Sequence, residues 1–242
     1  MPTPAAVEVV LVLFLATVIR SALGFGEALV SVPLLALTLP VNVATPVAVL
    51  ASITVALVVV IQDWRSIHLR SAVRLVIPTL FGIPIGLMLL KSIPESSMKA
   101  VLGVIIIAFS AWSLASKSPV ELKTDSYAPV FGFIAGIMGG AYGMNGPPLA
   151  IYGSLRRWTP ASFRATLQGY FFPASVGGMA GYWIGGLWTA RVSSLFLLAL
   201  PGVIVAIFLG RYLHRRINPR HFTRYVHAGL IGIGALLLAQ AF

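Results

Sequence analysis

Cysteine is absent from the 242-residue chain, which excludes a disulfide framework, a thiolate metal site and a dithiol redox pair. Acidic residues are also scarce: six Asp and Glu stand against 17 Lys and Arg, and only 10% of residues are charged. Soluble domains run at about 25%. A water-soluble fold so poor in charge cannot clothe its surface, so a soluble enzyme or nucleic-acid-binding module is excluded. The formal net charge of +11 therefore needs another reading. The basic residues sit in short gaps between long apolar runs, the positive-inside arrangement of a multi-pass membrane protein. Residues 1–4 carry no Lys or Arg, so the first apolar run reads as part of the mature membrane domain and not as a signal peptide.

A membrane span needs about 20 mostly apolar residues. On that scale hydrophobic stretches fall at roughly 5–39, 43–61, 72–90, 98–115, 127–155, 165–184, 192–210 and 223–241. The first and fifth are too long for one straight helix. One is interrupted at Leu23-Gly24-Phe25-Gly26-Glu27, the other at Gly139-Gly140-Ala141-Tyr142-Gly143-Met144-Asn145-Gly146-Pro147-Pro148. Glycine lets the chain leave helical geometry, and proline restarts a helix without a backbone donor. Each long stretch is expected to be two short helices with an unwound joint.

The two interruptions are counterparts. Gly24-Phe25-Gly26 falls on Gly143-Met144-Asn145 and Trp64 on Trp183, both at an offset of 119 residues; Pro40-Val41-Asn42 falls on Pro160-Ala161-Ser162 at 120. The expected fold is therefore an all-α polytopic membrane protein, a single membrane domain over 1–242. It is built of two repeats, 1–116 and 127–242, each a broken helix or hairpin followed by three transmembrane helices. Interrupted segments at matching positions of internal repeats mark transporters. If each interrupted stretch is a hairpin that leaves on the face it entered, gaps 62–74, 116–126, 155–164 and 211–224 share one side. That side then holds 13 basic residues, against only Lys91, Lys99 and Arg191 opposite. If each stretch crosses once, the split falls to 10 against 6. Positive-inside bias favours the hairpins. The repeats are then inverted, both termini face outward, and the two tips meet near the midplane.

Non-helical backbone at membrane depth must line protein or a watery cavity. The helices restarting after Gly26 and Asn145 present free N–H groups and positive dipole ends, a combination that binds an anion without a fixed cation. Substrate-binding candidates are the tip residues Gly24, Phe25, Gly26, Gly143 and Gly146, with Ser21, Tyr142, Asn145, Tyr152 and Gln168 as side-chain donors. For Gln168 a helix–helix hydrogen bond is the competing reading. Arg20 and Glu27, seven residues apart, are costly charges for a lone span, about 2.5–3.5 kcal/mol each. Glu27 reads as a proton carrier, as half of a structural ion pair, or as a cap of the helix beside it; Arg20 as an anion attractor or a side chain reaching for the interface. Arg164 is a cytoplasmic topology charge or a ligand. The segment Arg211–Arg224 is placed to contact anionic lipid headgroups. His68, His214, His221 and His227 lie in or beside basic gaps without grouped carboxylates, so no metal or other cofactor is implied. The spans offer one carboxylate, no buried His and no HExxH or Ser-x-x-x-Lys pattern, so no enzyme activity is expected.

Gly24-Phe25-Gly26 followed by Pro33, repeated as Gly140-Ala-Tyr-Gly143-Met-Asn-Gly146-Pro147-Pro148-Leu149 leading into Tyr152, resembles the TauE/SafE family of sulfite exporters. The resemblance covers nearly the whole chain. It implies efflux of a small sulfur oxyanion or organosulfonate, such as sulfite or sulfoacetate, across the bacterial inner membrane. Where that family's first motif often continues with glycines, this chain has Glu27. The expected function is a secondary transporter working by alternating access, either uncoupled or coupled to protons. An anion channel, a carrier for another small anion such as a carboxylate, and a non-transporting scaffold are the alternatives. The expected partners are the anion and membrane lipid, with no nucleic acid; a homo-oligomer is left open.

Overall fold

The computed structural model describes residues 4–63, 69–115, 121–214 and 219–241, all helices and connecting turns. Trp64, one of the residues supporting the repeat, lies outside them, as do His68, Arg215 and Arg216. Among the described residues ten α-helices follow one another: α1 (Pro4–Leu23), α2 (Glu27–Leu35), α3 (Val41–Asp63), α4 (Leu69–Ser92), α5 (Glu95–Ala115), α6 (Ala128–Tyr142), α7 (Gly146–Leu155), α8 (Pro160–Ile184), α9 (Ala190–His214) and α10 (Pro219–Ala241). Among the described residues there is no strand. Six helices (α1, α3, α4, α5, α9 and α10) are long and apolar enough to cross a membrane, and α8 matches α9 in length at 25 residues.

Both long apolar stretches break where glycine makes it cheap. Gly24 and Gly26 hold φ of 90° and 99°, and Gly143 holds 64°, in the left-handed region that other residues enter only at a cost. The first stretch departs from the expectation of two short helices. No glycine or further proline falls between Pro4 and Leu23, so α1 is 20 residues long, while α2 has nine.

Each broken stretch folds back on itself. Beyond α2, the Thr38 hydroxyl donates to the carboxylate of Glu8, in the second turn of α1, at 2.7 Å. The second stretch is closed more firmly. The Leu122 N–H donates to the Leu155 carbonyl at 2.8 Å, and Tyr152 on α7 donates to Asp125, ahead of α6, at 2.7 Å. Arg156 reaches the same carboxylate at 3.1 Å.

The helices then pack across the two halves of the chain. α1 lies along α9, α4 along α6, α3 against α8 and α5 against α10. Replacing each helix by its counterpart five places along turns the α1–α9 pair into α6–α4 and leaves α3–α8 and α5–α10 unchanged. Small residues allow the closest approach, as expected where helices pack without a hydrophobic driving force. A Cβ on Gly132, Gly136 or Gly140 of α6 would enter the backbone of α4 at Leu75, Thr79 or Ile83. Gly82 and Gly86 of α4 are equally tight against α6, so two bare helix faces touch backbone to backbone. Gly103 on α5 and Gly234 on α10 face each other in the same way.

Candidate functional site

The two interruptions meet. Gly26, Glu27, Ala28 and Leu29 from the first tip and Gly143 to Pro147 from the second enclose one cavity of about 20 Å³, with Arg20, Ser52 and Phe171 completing its wall. A space of that size holds roughly one water molecule. The tips are shut on each other.

At the first tip the sequence places a cation and an anion on the same wall. Arg20 is in the last turn of α1, and Glu27 begins α2; both are 2% exposed. The Arg20 guanidinium donates to the Glu27 carboxylate at 2.5 Å, and the other carboxylate oxygen accepts from Thr17 at 2.9 Å. The same guanidinium nitrogen donates to the Ser52 hydroxyl at 2.6 Å and lies 3.2 Å from the Ser52 carbonyl. Its central carbon stands 5.0 Å from the Phe171 ring centre, a cation–π contact. The buried charges thus cancel locally, and Glu27 also sits at the positive end of the α2 dipole. Of the readings weighed for this pair, the geometry is that of a buried ion pair; Arg20 does not reach for an interface. Backbone donors come mainly from this tip. The first α2 bond runs from the Val30 N–H to the Gly26 carbonyl, so the Glu27, Ala28 and Leu29 N–H groups have no partner within the helix.

The second tip differs from the expectation that both restarting helices present free N–H groups. Pro147 and Pro148 occupy the first turn of α7 and have no N–H to offer. Asn145 lines the cavity, but its amide nitrogen donates to the Ala135 carbonyl and to the Tyr170 hydroxyl, each at 3.3 Å. With Asn145 as donor at one end, the Tyr170 hydroxyl donates to Thr79 at 2.7 Å, and Thr79 donates to the Gly132 carbonyl at 2.7 Å. This chain ties the tip to α8, α4 and α6. Tyr182 on α8 caps the end of α6, its hydroxyl 2.7 and 3.0 Å from the Gly139 and Gly140 carbonyls.

The remaining candidates are dispersed. Ser21 is buried against Gly210 in the α1–α9 seam, outside the cavity wall. Tyr142 donates to the Met98 carbonyl at 3.0 Å, and Tyr152 closes the base of the second hairpin. Gly24 is in the turn itself, and Phe25 places its ring 5.8 Å from that of Phe163, on the far side of the tip. The backbones of Arg164 and Gln168 belong to α8, but their side chains lie outside the described residues. His227 corrects the expectation of no buried histidine. It is 2% exposed on α10, with Ser113 at 3.0 Å and Ser110 at 3.2 Å from its ring nitrogens. It sits one turn inside the last apolar stretch, facing α5 where sequence order had put it beside a basic gap. Ser52 and Phe171 were missed. A lone serine inside the 43–61 run was the available signal for Ser52; a phenylalanine in an apolar helix carries none.

Comparison with known proteins agrees with the geometry. The family described as "Sulfite exporter TauE/SafE" matches residues 9–237. A protein of Cupriavidus necator named "Probable sulfite/organosulfonate exporter TauE" is 27% identical over 184 residues, covering 74% of this chain and 70% of its own length. No solved structure matches the chain. Two glycine-bent hairpins meeting tip to tip within a bundle of apolar helices, and a family match over nearly the full length, place this membrane protein in the sulfite exporter TauE/SafE family.

Proposed function

We propose that the protein is a secondary transporter that exports a small sulfur-containing anion, sulfite or an organosulfonate such as sulfoacetate, by alternating access across the bacterial inner membrane. The observation that carries this reading is the cavity shared by the two tips, which contains a guanidinium and the free N–H groups of the first turn of α2. Its sides come from both halves of the chain. Moving one half against the other, as inverted repeats permit, would expose the cavity first to one face and then to the other. The helix pairing that survives exchange of the halves supports such repeats, and the excess of basic residues in one set of gaps supports both termini outside. A cavity of about 20 Å³ between the tips supports a carrier with a closed state over a channel.

Glu27 gives the cycle its coupling. The carboxylate occupies the guanidinium that an incoming anion needs. An anion that takes Arg20 leaves Glu27 buried without its counter-charge, which costs several kcal/mol unless the carboxylate is neutralised. A proton bound to Glu27 at that moment crosses with the anion.

Purified protein in liposomes tests this. Export of sulfite or sulfoacetate should saturate and show counter-transport. An Arg20→Gln/Glu27→Gln double variant, which removes both buried charges together, should keep its melting temperature and lose flux. Glu27→Gln alone should transport with a flattened pH dependence. Wild-type flux in the double variant would end the assignment of the tip cavity as the anion site.

A further inference from the structure

A second, wider recess opens on the other side of the first tip. It measures about 380 Å³ and shares Phe25 as part of its wall, while the next two residues, Gly26 and Glu27, face the tip cavity. Phe25 thus lines the recess and is followed directly by residues that line the tip cavity. Trp112 on α5, Trp158 in the turn after α7 and Phe163 on α8 form the recess walls. Hydroxyl-bearing Ser113, Ser154 and Thr223 are set among the rings. Ser113 is held in place by His227, 3.0 Å away.

The size and lining are those of a small-molecule pocket, mostly aromatic with a few converging polar groups. The tip cavity, closed as it stands here, has room for about one water molecule. Arg157, paired with Glu121 at 3.2 Å, and the exposed Arg224 lie next in the chain to Trp158 and Thr223 of the lining. The lining itself contributes no cation. Aromatic walls favour a ligand with a carbon body, and the hydroxyls favour an oxyanion at one end of it.

We propose that this recess is a loading site for a short-chain organic sulfonate, and that Phe25 is the door between it and the tip cavity. The partition is built to move. Phe25 stands between two glycines in left-handed conformations, φ 90° and 99°, and leans on bare surfaces: Gly146 beneath its ring and Phe163 beside it. Phe163 in turn packs where Gly153 lacks a side chain, since a Cβ there would overlap its ring at 2.5 Å. Swinging one aromatic ring joins the two spaces without unfolding a helix.

The inference rests on the transport reading above, and two readouts separate their fates. In a Trp64→Phe/Trp183→Phe/Trp188→Phe variant, Trp112 and Trp158 are the remaining tryptophans, so emission reports the recess. Sulfoacetate should change that emission saturably, and more strongly than inorganic sulfite. The change should persist in Asn145→Leu, which disturbs the second tip, and weaken about tenfold in Ser113→Ala/Ser154→Ala. Phe25→Ala should turn saturable export into an unsaturated leak. Flux without an emission change, loss of the emission change in Asn145→Leu, or wild-type kinetics in Phe25→Ala would each overturn the loading site. An emission change with no flux in the wild type would overturn the transport reading and leave the loading site standing.

Discussion

Arg20 and Glu27 form an ion pair with both side chains buried. Breaking a buried ion pair from one side typically costs about 3–5 kcal/mol, because the survivor is left uncompensated, whereas replacing both partners by apolar groups of similar volume is often neutral. Arg20→Ala and Glu27→Ala should therefore each lower the melting temperature in detergent sharply. Arg20→Met/Glu27→Leu should melt near the wild type and yet be inactive. Equal melting of the single and double variants would show that the pair is not energetically coupled. Gly26 tests a different term. Nothing lies within 4 Å of a Cβ built there, so Gly26→Ala meets no steric obstacle. Its φ of 99° still makes an L-residue costly, by about 1–2 kcal/mol. A melting temperature unchanged in Gly26→Ala would mean that the tip relaxes its backbone freely. At this scale the sequence was only half legible. The charges announced themselves, because an ionised side chain in an apolar run has few reasons to be there. Which hydroxyls faced the cavity did not: Tyr142 and Tyr152 sit near the tip in sequence, yet their rings point along the bundle to Met98 and Asp125.

Among the elements, the α4–α6 seam is the least tolerant. Gly136→Val would drive a side chain into the α4 backbone at Thr79, and no rotamer relieves a backbone clash. The variant should fail to accumulate as folded protein, whereas Gly178→Ala, on α8 with nothing within 4 Å of its added carbon, should be silent. Size-exclusion profiles of the two side by side would show the contrast. The breaks at Gly24–Gly26 and Gly143–Asn145 were readable because glycine and proline act on the backbone locally. The seam was not, since the spacing of Gly132, Gly136 and Gly140 names a smooth face without naming its partner. Nor was the length of α1 foreseen; the expectation treated both arms of a hairpin as alike, and only the second arm is short.

For the whole molecule, the closed bases of both hairpins set the path of the chain. Thr38 lies back beside Glu8 and Leu155 back beside Leu122, and on the proposed topology three long helices in each half then cross the membrane. On that topology the turns holding Thr124 and Arg156 share the face opposite the start of α5, which holds Ser96, and the turn holding Thr189. The absence of native cysteine makes this easy to check. Ser96→Cys and Thr189→Cys should react with an impermeant maleimide added outside intact cells, and Thr124→Cys only after the membrane is opened. Labelling of Thr124→Cys from outside would refute the path. The interlocked pairing has a cost in time as well. Val18 on α1 rests against Gly210 on α9, 192 residues later in the chain. At roughly 5–20 residues per second, α1 waits about 10–40 s in the bilayer before its companion helix is made. In that interval the counter-charge nearest in sequence to the α1 guanidinium is the Glu27 carboxylate, made seven residues behind it.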